Sequence, residues 1–339
     1  MMHRIAFFAL LFICSCNSHE YKEQKSEIQI LSEKIIQHPK DLDALYARVD
    51  YNKSNNNLES ALFDLKEIVS LDSLNTLHHY NIAEVYFELS KENNSNPKYP
   101  SLVRYHLEKS IMIDGKNQQA LSLMGELLLA YNKYEDAIKS FNLSLKIDYN
   151  QHRSHLLMGY AFKQLHKTDN AIDCFRNAIN VNPDFFEAYM QLGQIFHLLS
   201  DTTALTYYDN ALRLKPSDEM VLYNRALFYQ SILDWNNALA AYAELHKVSP
   251  FHTSGHYNLG FIHMELGLYD VAANNFSDAI YSNSNFYEAY YSRGNCFETL
   301  GNVLQAESDY KRAIEINPKY IYAIEALDML RENNKKYNR

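Results

Sequence analysis

A chain of 339 residues that is 47% hydrophobic is too apolar for disorder and too long for one small core. It suits two ordinary domains or one extended array of repeats. A formal charge of −9 argues against a nucleic-acid partner, which calls for a surplus of Lys and Arg. Four Cys exclude a disulfide scaffold, and the nine Gly form no G-x-G-x-x-G or G-x-x-x-x-G-K-[ST] phosphate loop.

The chain starts with the weakly basic Met1 to Arg4 and an unbroken apolar run from Ile5 to Ile13. That run has the length of a signal-peptide core and about half that of a bilayer span. Ile13-Cys14-Ser15-Cys16 follows, then the polar Asn17-Ser18-His19-Glu20. The string resembles a bacterial lipobox, with an aliphatic residue at −3, a small residue at −1 and then the acceptor Cys. The resemblance implies a lipoprotein signal peptide over residues 1–15, with cleavage before Cys16 and lipidation of that residue. Residues 16–24 would then be a lipidated Cys and a short tether. Cys14 at −2 departs from the usual pattern and is a second candidate acceptor. A plain secretory signal with incidental cysteines is the other reading. Loss of residues 1–15 removes Arg4, leaving 31 basic against 41 acidic residues, or −10. An acidic surface is not drawn to anionic lipid, so attachment to a membrane would come from the acyl chains alone.

Ser26 to His38, closed by Pro39, reads as one helix of a truncated unit. Beyond it the chain repeats itself. YMQLGQIF (189–196), YNLGFIH (257–263) and YSRGNCF (291–297) recur in step with small-residue runs at Ala171, Ala238, Ala272 and Ala306. Aligned, they set units starting at Leu42, Thr76, Gln118, His152, Phe186, Glu219, Thr253 and Tyr287, with a capping helix over 321–335. The period is 34 residues, except for 42 after Thr76 and 33 after Phe186. The eighth place holds Gly125, Gly159, Gly193, Gly260 and Gly294, or Val49, Ala83 and Ala226. The twenty-fourth holds bulky residues such as Phe141, Phe175, Tyr208 and Tyr310. Helices that pack closely need small residues where they cross and bulky ones beside the crossing.

The period and these places resemble the tetratricopeptide repeat (TPR). The resemblance spans residues 25–335. It implies an all-α, right-handed superhelical solenoid of helix-turn-helix units that mediates protein–protein interactions. The second unit departs from it by eight extra residues within Lys91 to Pro100, which read as loop and lengthen the turn. A functional insertion and a tolerated loop both remain open. In the capping helix, Ile324, Leu327 and Leu330 face inward, and Glu325, Asp328, Arg331 and Glu332 outward.

No catalytic constellation stands out. His79, His155 and His256 fall at the fourth, packing, place of their units. His252 and His256 are four apart, but no third ligand is evident and no H-E-x-x-H occurs. Cys174 and Cys296 lie in units too far apart to meet and read as packing residues. No G-x-S-x-G occurs and no carboxylate pair is marked. The expectation is a protein without enzymatic activity, metal or cofactor.

In the TPR family the first helix of each unit lines a concave groove. Its fifth place holds Tyr80, Tyr223, Tyr257 and Tyr291 here. Asn224 and Asn258 follow two of them, Asn295 lies one turn beyond Tyr291, and Tyr160 and Phe261 add ring surface. Tyr offers a rigid area with a polar tip. The groove is expected to hold a segment of an envelope protein or peptide. A glycan such as peptidoglycan stacked on the rings is the alternative ligand, and packing on the next unit is the alternative role for any single Tyr. Some relatives grip a terminal carboxylate with Lys, Asn and Arg, but the fifth place is never Lys here. The expectation is a lipid-anchored scaffold in a bacterial cell envelope, outer-membrane, periplasmic or surface-side. It would serve assembly, secretion or recruitment of cell-wall enzymes. The oligomeric state stays open.

Overall fold

The structure, a computed structural model, describes residues 25–92 and 96–337, with side chains as far as residue 333. The signal-peptide reading, Cys16 and the tether lie outside the described residues. Among the described residues the chain is all helix and turn, with eighteen helices and no strand. One compact unit ends at Asn117 and a second begins at Gln118.

The first unit holds α1 (Glu27–Gln37), α2 (Leu42–Ser54), α3 (Leu58–Leu71), α4 (Thr76–Ser90) and α5 (Tyr99–Ile113). In the second, the first helices of successive pairs are α6 (Gln118–Ala130), α8 (His152–Gln164), α10 (Phe186–Leu198), α12 (Glu219–Ser231), α14 (Thr253–Glu265) and α16 (Tyr287–Thr299). Their partners are α7 (Tyr134–Ile147), α9 (Thr168–Val181), α11 (Thr203–Leu214), α13 (Trp235–Val248), α15 (Tyr269–Ser282) and α17 (Val303–Ile316). The helix α18 (Ile321–Tyr337) packs on α16 and α17. Within each unit a helix packs on its chain neighbours, and in the second unit α6 also meets α8, α10 meets α12, and α14 meets α16. Within each unit a pair packs between its own two helices and on the neighbouring pairs, which is the economy of a repeat array.

Local chemistry starts and stops these helices. Asp41 and Asp218 accept from the N–H groups of Ala44 and Val221, both at 3.0 Å, and satisfy donors that a helix start leaves open. Within a pair the chain reverses through one left-handed residue: Asn56, Asn132, His166, Ser200, Leu233, Gly267 or Gly301. Where the paired helices cross, Gly193 and Gly294 sit so close to Tyr208 and Tyr310 that an added Cβ would lie 2.6 Å from a ring carbon. Gly125, Gly159 and Gly260 meet Phe141, Phe175 and Phe276 in the same way. These five rings are among the largest fully buried side chains.

Arginines join successive second helices. Arg48 donates to Asp64 at 2.7 and 2.8 Å and to Ser32 at 3.2 Å. Arg293 repeats the arrangement on Asp309, at 2.7 and 2.8 Å, and Ser277, at 2.9 Å. Such forked pairs hold both position and angle. Arg225 bridges Asp209, at 3.1 Å, and Glu244.

The long second repeat, which starts at Thr76, differs from its expected loop. Tyr99 and Pro100 belong to the first turn of α5, where a proline leaves no helical bond unmade. The Tyr99 hydroxyl donates to Glu59 at 2.6 Å, and its ring lies 5.4 Å from that of Tyr86. The Glu59 carboxylate pushes the Tyr99 hydroxyl up to about 12.

In α18, Ala323, Ala326, Leu327 and Leu330 are buried. Ile324, expected to face inward, is only partly covered, because the buried stripe of the helix runs through Ala323, Ala326, Leu327 and Leu330.

Candidate functional site

The face shared by α12, α14 and α16 carries Tyr223, Tyr257 and Tyr291, all partly buried. Each leans on the next helix pair. The Tyr223 hydroxyl accepts from the Asn258 amide at 3.3 Å, and that amide also donates to the Tyr242 hydroxyl at 2.8 Å. The Tyr257 hydroxyl lies 3.4 Å from Ser292 Oγ, and its ring lies 4.9 Å from Phe286 and 5.4 Å from Phe276. The Tyr291 ring lies 5.5 Å from Tyr320, 6.0 Å from Tyr310 and 6.3 Å from Tyr322. Asn295 accepts from the buried Tyr310 hydroxyl at 2.7 Å. The three rings are thus held in place by neighbours while part of each stays open, which limits the entropy a ligand must remove.

Asn224 and Phe261 are partly buried on the same helices and, among the described residues, make no side-chain hydrogen bond or ring contact. They are the members of the set that packing leaves uncommitted. Tyr160, on α8, is not beside them. Its ring meets Phe175 edge-on at 5.6 Å, and burial, with Glu187 adding, pushes its hydroxyl up. Tyr80 belongs to the other unit and donates to Glu84 at 2.9 Å, which Lys53 also neutralises at 2.6 Å.

Three tyrosines outside the expected set join Tyr291. Tyr287 lies 4.8 Å from Tyr320, and Tyr320 lies 5.5 Å from the exposed Tyr322. Burial pushes the Tyr320 hydroxyl up. Tyr320 lies in the turn before α18 and Tyr322 at the start of that helix, so a template drawn on first-helix places passes over them.

The remaining acid–base groups are committed to structure. His246 stacks on His256 at 3.9 Å, and His252 accepts from the Gly255 N–H at 2.9 Å at the start of α14. Burial, then the neighbouring His256 and His252, pushes His246 down to about 4. His79 Nδ1 meets His106 Nδ1 at 3.0 Å, and His79 Nε2 meets the Ser73 carbonyl at 3.1 Å. A carbonyl only accepts, so in the neutral pair His79 donates to Ser73 and His106 donates to His79. Burial, with His79 adding, pushes His106 down to about 4. Among the described residues no three His, Cys, Asp or Glu are placed to hold a metal ion. Burial pushes the Cys174 thiol up to about 12 and that of Cys296 up to about 11, so neither is a ready thiolate.

Sequence-family models match the chain twice, as "Tetratricopeptide repeat" over residues 287–320 and as "TPR repeat" over residues 159–200. The chain contains tetratricopeptide repeats. No curated protein matches the sequence. Among solved structures, PilF of Pseudomonas aeruginosa is similar, with a TM-score of 0.52 and 18% identity over 62% of this chain and 92% of its own. A TPR protein from Parabacteroides merdae has a TM-score of 0.49 and 14% identity, covering 74% of this chain and 98% of its own. YrrB, described as a TPR protein with an unusual peptide-binding site, has a TM-score of 0.47 and 16% identity, covering 55% and 96%. The likeness to PilF shows the same all-α TPR architecture. No helix among the described residues is long and apolar enough to cross a membrane.

Proposed function

We propose that this TPR protein is a scaffold that binds a segment of another envelope protein along α12, α14 and α16, and that lipid on Cys16 holds it at a membrane. The observation that carries the reading is the register of Tyr223, Tyr257 and Tyr291. The hydroxyls of Tyr223 and Tyr257 meet Asn258 and Ser292 of the next repeat, and Tyr291 packs on Tyr320. A row of fixed aromatic rings with polar tips suits a peptide chain, which offers a side chain and a backbone amide at regular intervals. Asn224 and Phe261 supply a free amide and a free ring beside that row.

The lipid anchor rests on the Ile13-Cys14-Ser15-Cys16 string. The tether Asn17 to Gln24 spans at most ~28 Å when extended, which keeps the repeats close to their membrane. Two measurements test the two halves of the reading. Crosslinked pull-down from native membranes compares wild type with Asn224→Arg/Phe261→Arg, both shown folded by circular dichroism. The expected result is a captured protein that the double variant loses; equal capture by both contradicts the groove. Fractionation of Cys16→Ala is expected to move the protein out of the membrane pellet, and an unchanged pellet contradicts the anchor.

A further inference from the structure

In the repeats that start at Thr76, Phe186 and Tyr287, the eleventh place holds an aromatic ring that packs beside the neighbouring second helices. Tyr86 of α4 is buried between Lys66 of α3, 5.7 Å above its ring, and His106 of α5, 5.9 Å away. Phe196 of α10 stacks on Tyr207 of α11 at 5.4 Å, with the Arg176 guanidinium of α9 5.8 Å from its ring. Phe297 of α16 packs into the clusters on both flanks, with the Arg293 guanidinium 5.8 Å from its ring.

The first repeat has Asn52 at this place. One part of its surroundings matches that of Phe297: the Arg48–Asp64–Ser32 clamp repeats the Arg293–Asp309–Ser277 clamp bond for bond. Beside Asn52 and the clamp there is an open cavity of about 370 Å³. Ile28 and Ser32 of α1 and Ser60 and Phe63 of α3 line its flanks, with Asn52 and the Arg48–Asp64 pair of α2 and α3 between them. Asn52 is only 6% exposed, and among the described residues its side-chain amide has no hydrogen-bond partner. That amide lines the cavity and keeps its access to water there, so a group that covers it without offering a bond incurs the cost of an unpartnered amide. Phe63 stands at the rim, 71% exposed.

We infer that this cavity is a receptor for one tyrosine side chain of a partner protein, held with its ring where Phe297 lies in the last full repeat and its hydroxyl on Asn52. The guanidinium of Arg48 offers its face to the ring, as that of Arg293 does to Phe297. Asp64 neutralises Arg48, so the site selects no charge. The unpartnered amide favours a ring with a polar tip over a plain phenyl ring, since a bare ring would seal Asn52 without a bond. The site lies wholly within the first unit and does not depend on the tyrosine row of the second.

The test uses 4-fluorophenol as a tyrosine side-chain probe and follows its fluorine NMR line width with the purified full chain. The expected result is saturable broadening with wild type. Asn52→Phe, which restores the ring of the other repeats, and Ser60→Trp, which blocks the opening from an exposed position, should each abolish it while keeping the helical circular dichroism. The tripeptide Gly-Tyr-Gly should displace the probe, and Gly-Phe-Gly should do so at least tenfold less well. Equal broadening with wild type and both variants overturns the site. Failure of Gly-Tyr-Gly to displace the probe overturns its assignment to a protein side chain. No broadening with wild type overturns the partner reading in either of two ways. If broadening then appears in Tyr21→Ala, the chain's own N-terminal segment occupies the cavity; if it does not, the cavity binds no phenol.

Discussion

Tyr223 and Tyr257 show how one side chain serves packing and exposure together. Each hydroxyl meets a polar side chain of the next repeat, and each ring keeps an open portion. The 34-residue period brings out these two tyrosines and Tyr291, because the fifth place of a helix recurs on the same face. It does not show that Asn258 is already engaged by two hydroxyls, or that Tyr320 and Tyr322 close around Tyr291, since those contacts join residues in different elements. The histidines are similar. Their places in the repeat announce packing, but the pairing of His79 with His106 and the stack of His246 on His256 come only from the three-dimensional arrangement. Both pairs make stability depend on pH. His106 and His246 are held down to about 4, against an ordinary value of 6.5. Between those limits the unfolded chain takes up protons that the folded chain refuses, so stability falls as pH drops from 6.5 towards 4 and these groups add nothing further below that. For the buried His106 the full effect is about 3 kcal/mol, at ~1.4 kcal/mol per pH unit. Thermal melts should give a lower Tm at pH 5 than at pH 7, and the drop should be smaller in His246→Phe, which keeps a ring against His256.

The helix pair is the element on which the fold rests, and most of it is written in residue size. Small residues at the eighth place and aromatic ones at the twenty-fourth are what a close crossing demands, and the structure shows those rings in contact distance of the glycines. The turn within the pair is less visible. Gly267 and Gly301 mark it openly, but Asn56, Asn132, His166, Ser200 and Leu233 take the same left-handed conformation without a glycine to announce it. A β-carbon there costs roughly 1–2 kcal/mol, which the packing of the two helices overrides. Leu233, at a φ of 60°, is the bulkiest of them and is largely exposed. Leu233→Gly should therefore stabilise the protein by about 1 kcal/mol, the relief of strain being partly offset by the greater freedom of glycine in the unfolded chain. A higher urea midpoint with an unchanged slope is the expected observation. The surplus in the second repeat is legible as an irregularity. Its entry into α5 was not, because Tyr99 is fixed by Glu59 from another helix pair.

At the scale of the whole molecule, α-helices in a repeating order were legible from the sequence, and the matches at residues 159–200 and 287–320 name the repeat. The site is legible to a smaller degree. Period and residue type pick out a row of rings, whereas what binds there depends on chemistry supplied by a partner. The proposed partner would lie along α12, α14 and α16, and a photocrosslinker tests that proposal most directly. Benzoylphenylalanine in place of Phe261 lies in the row, and the same residue in place of Tyr281, 80% exposed on α15, is the control on a second helix. Irradiation of native membranes should give a discrete adduct from position 261 and none from position 281. An adduct from position 281 alone, or none from position 261, would contradict the assignment of these first helices as the binding face.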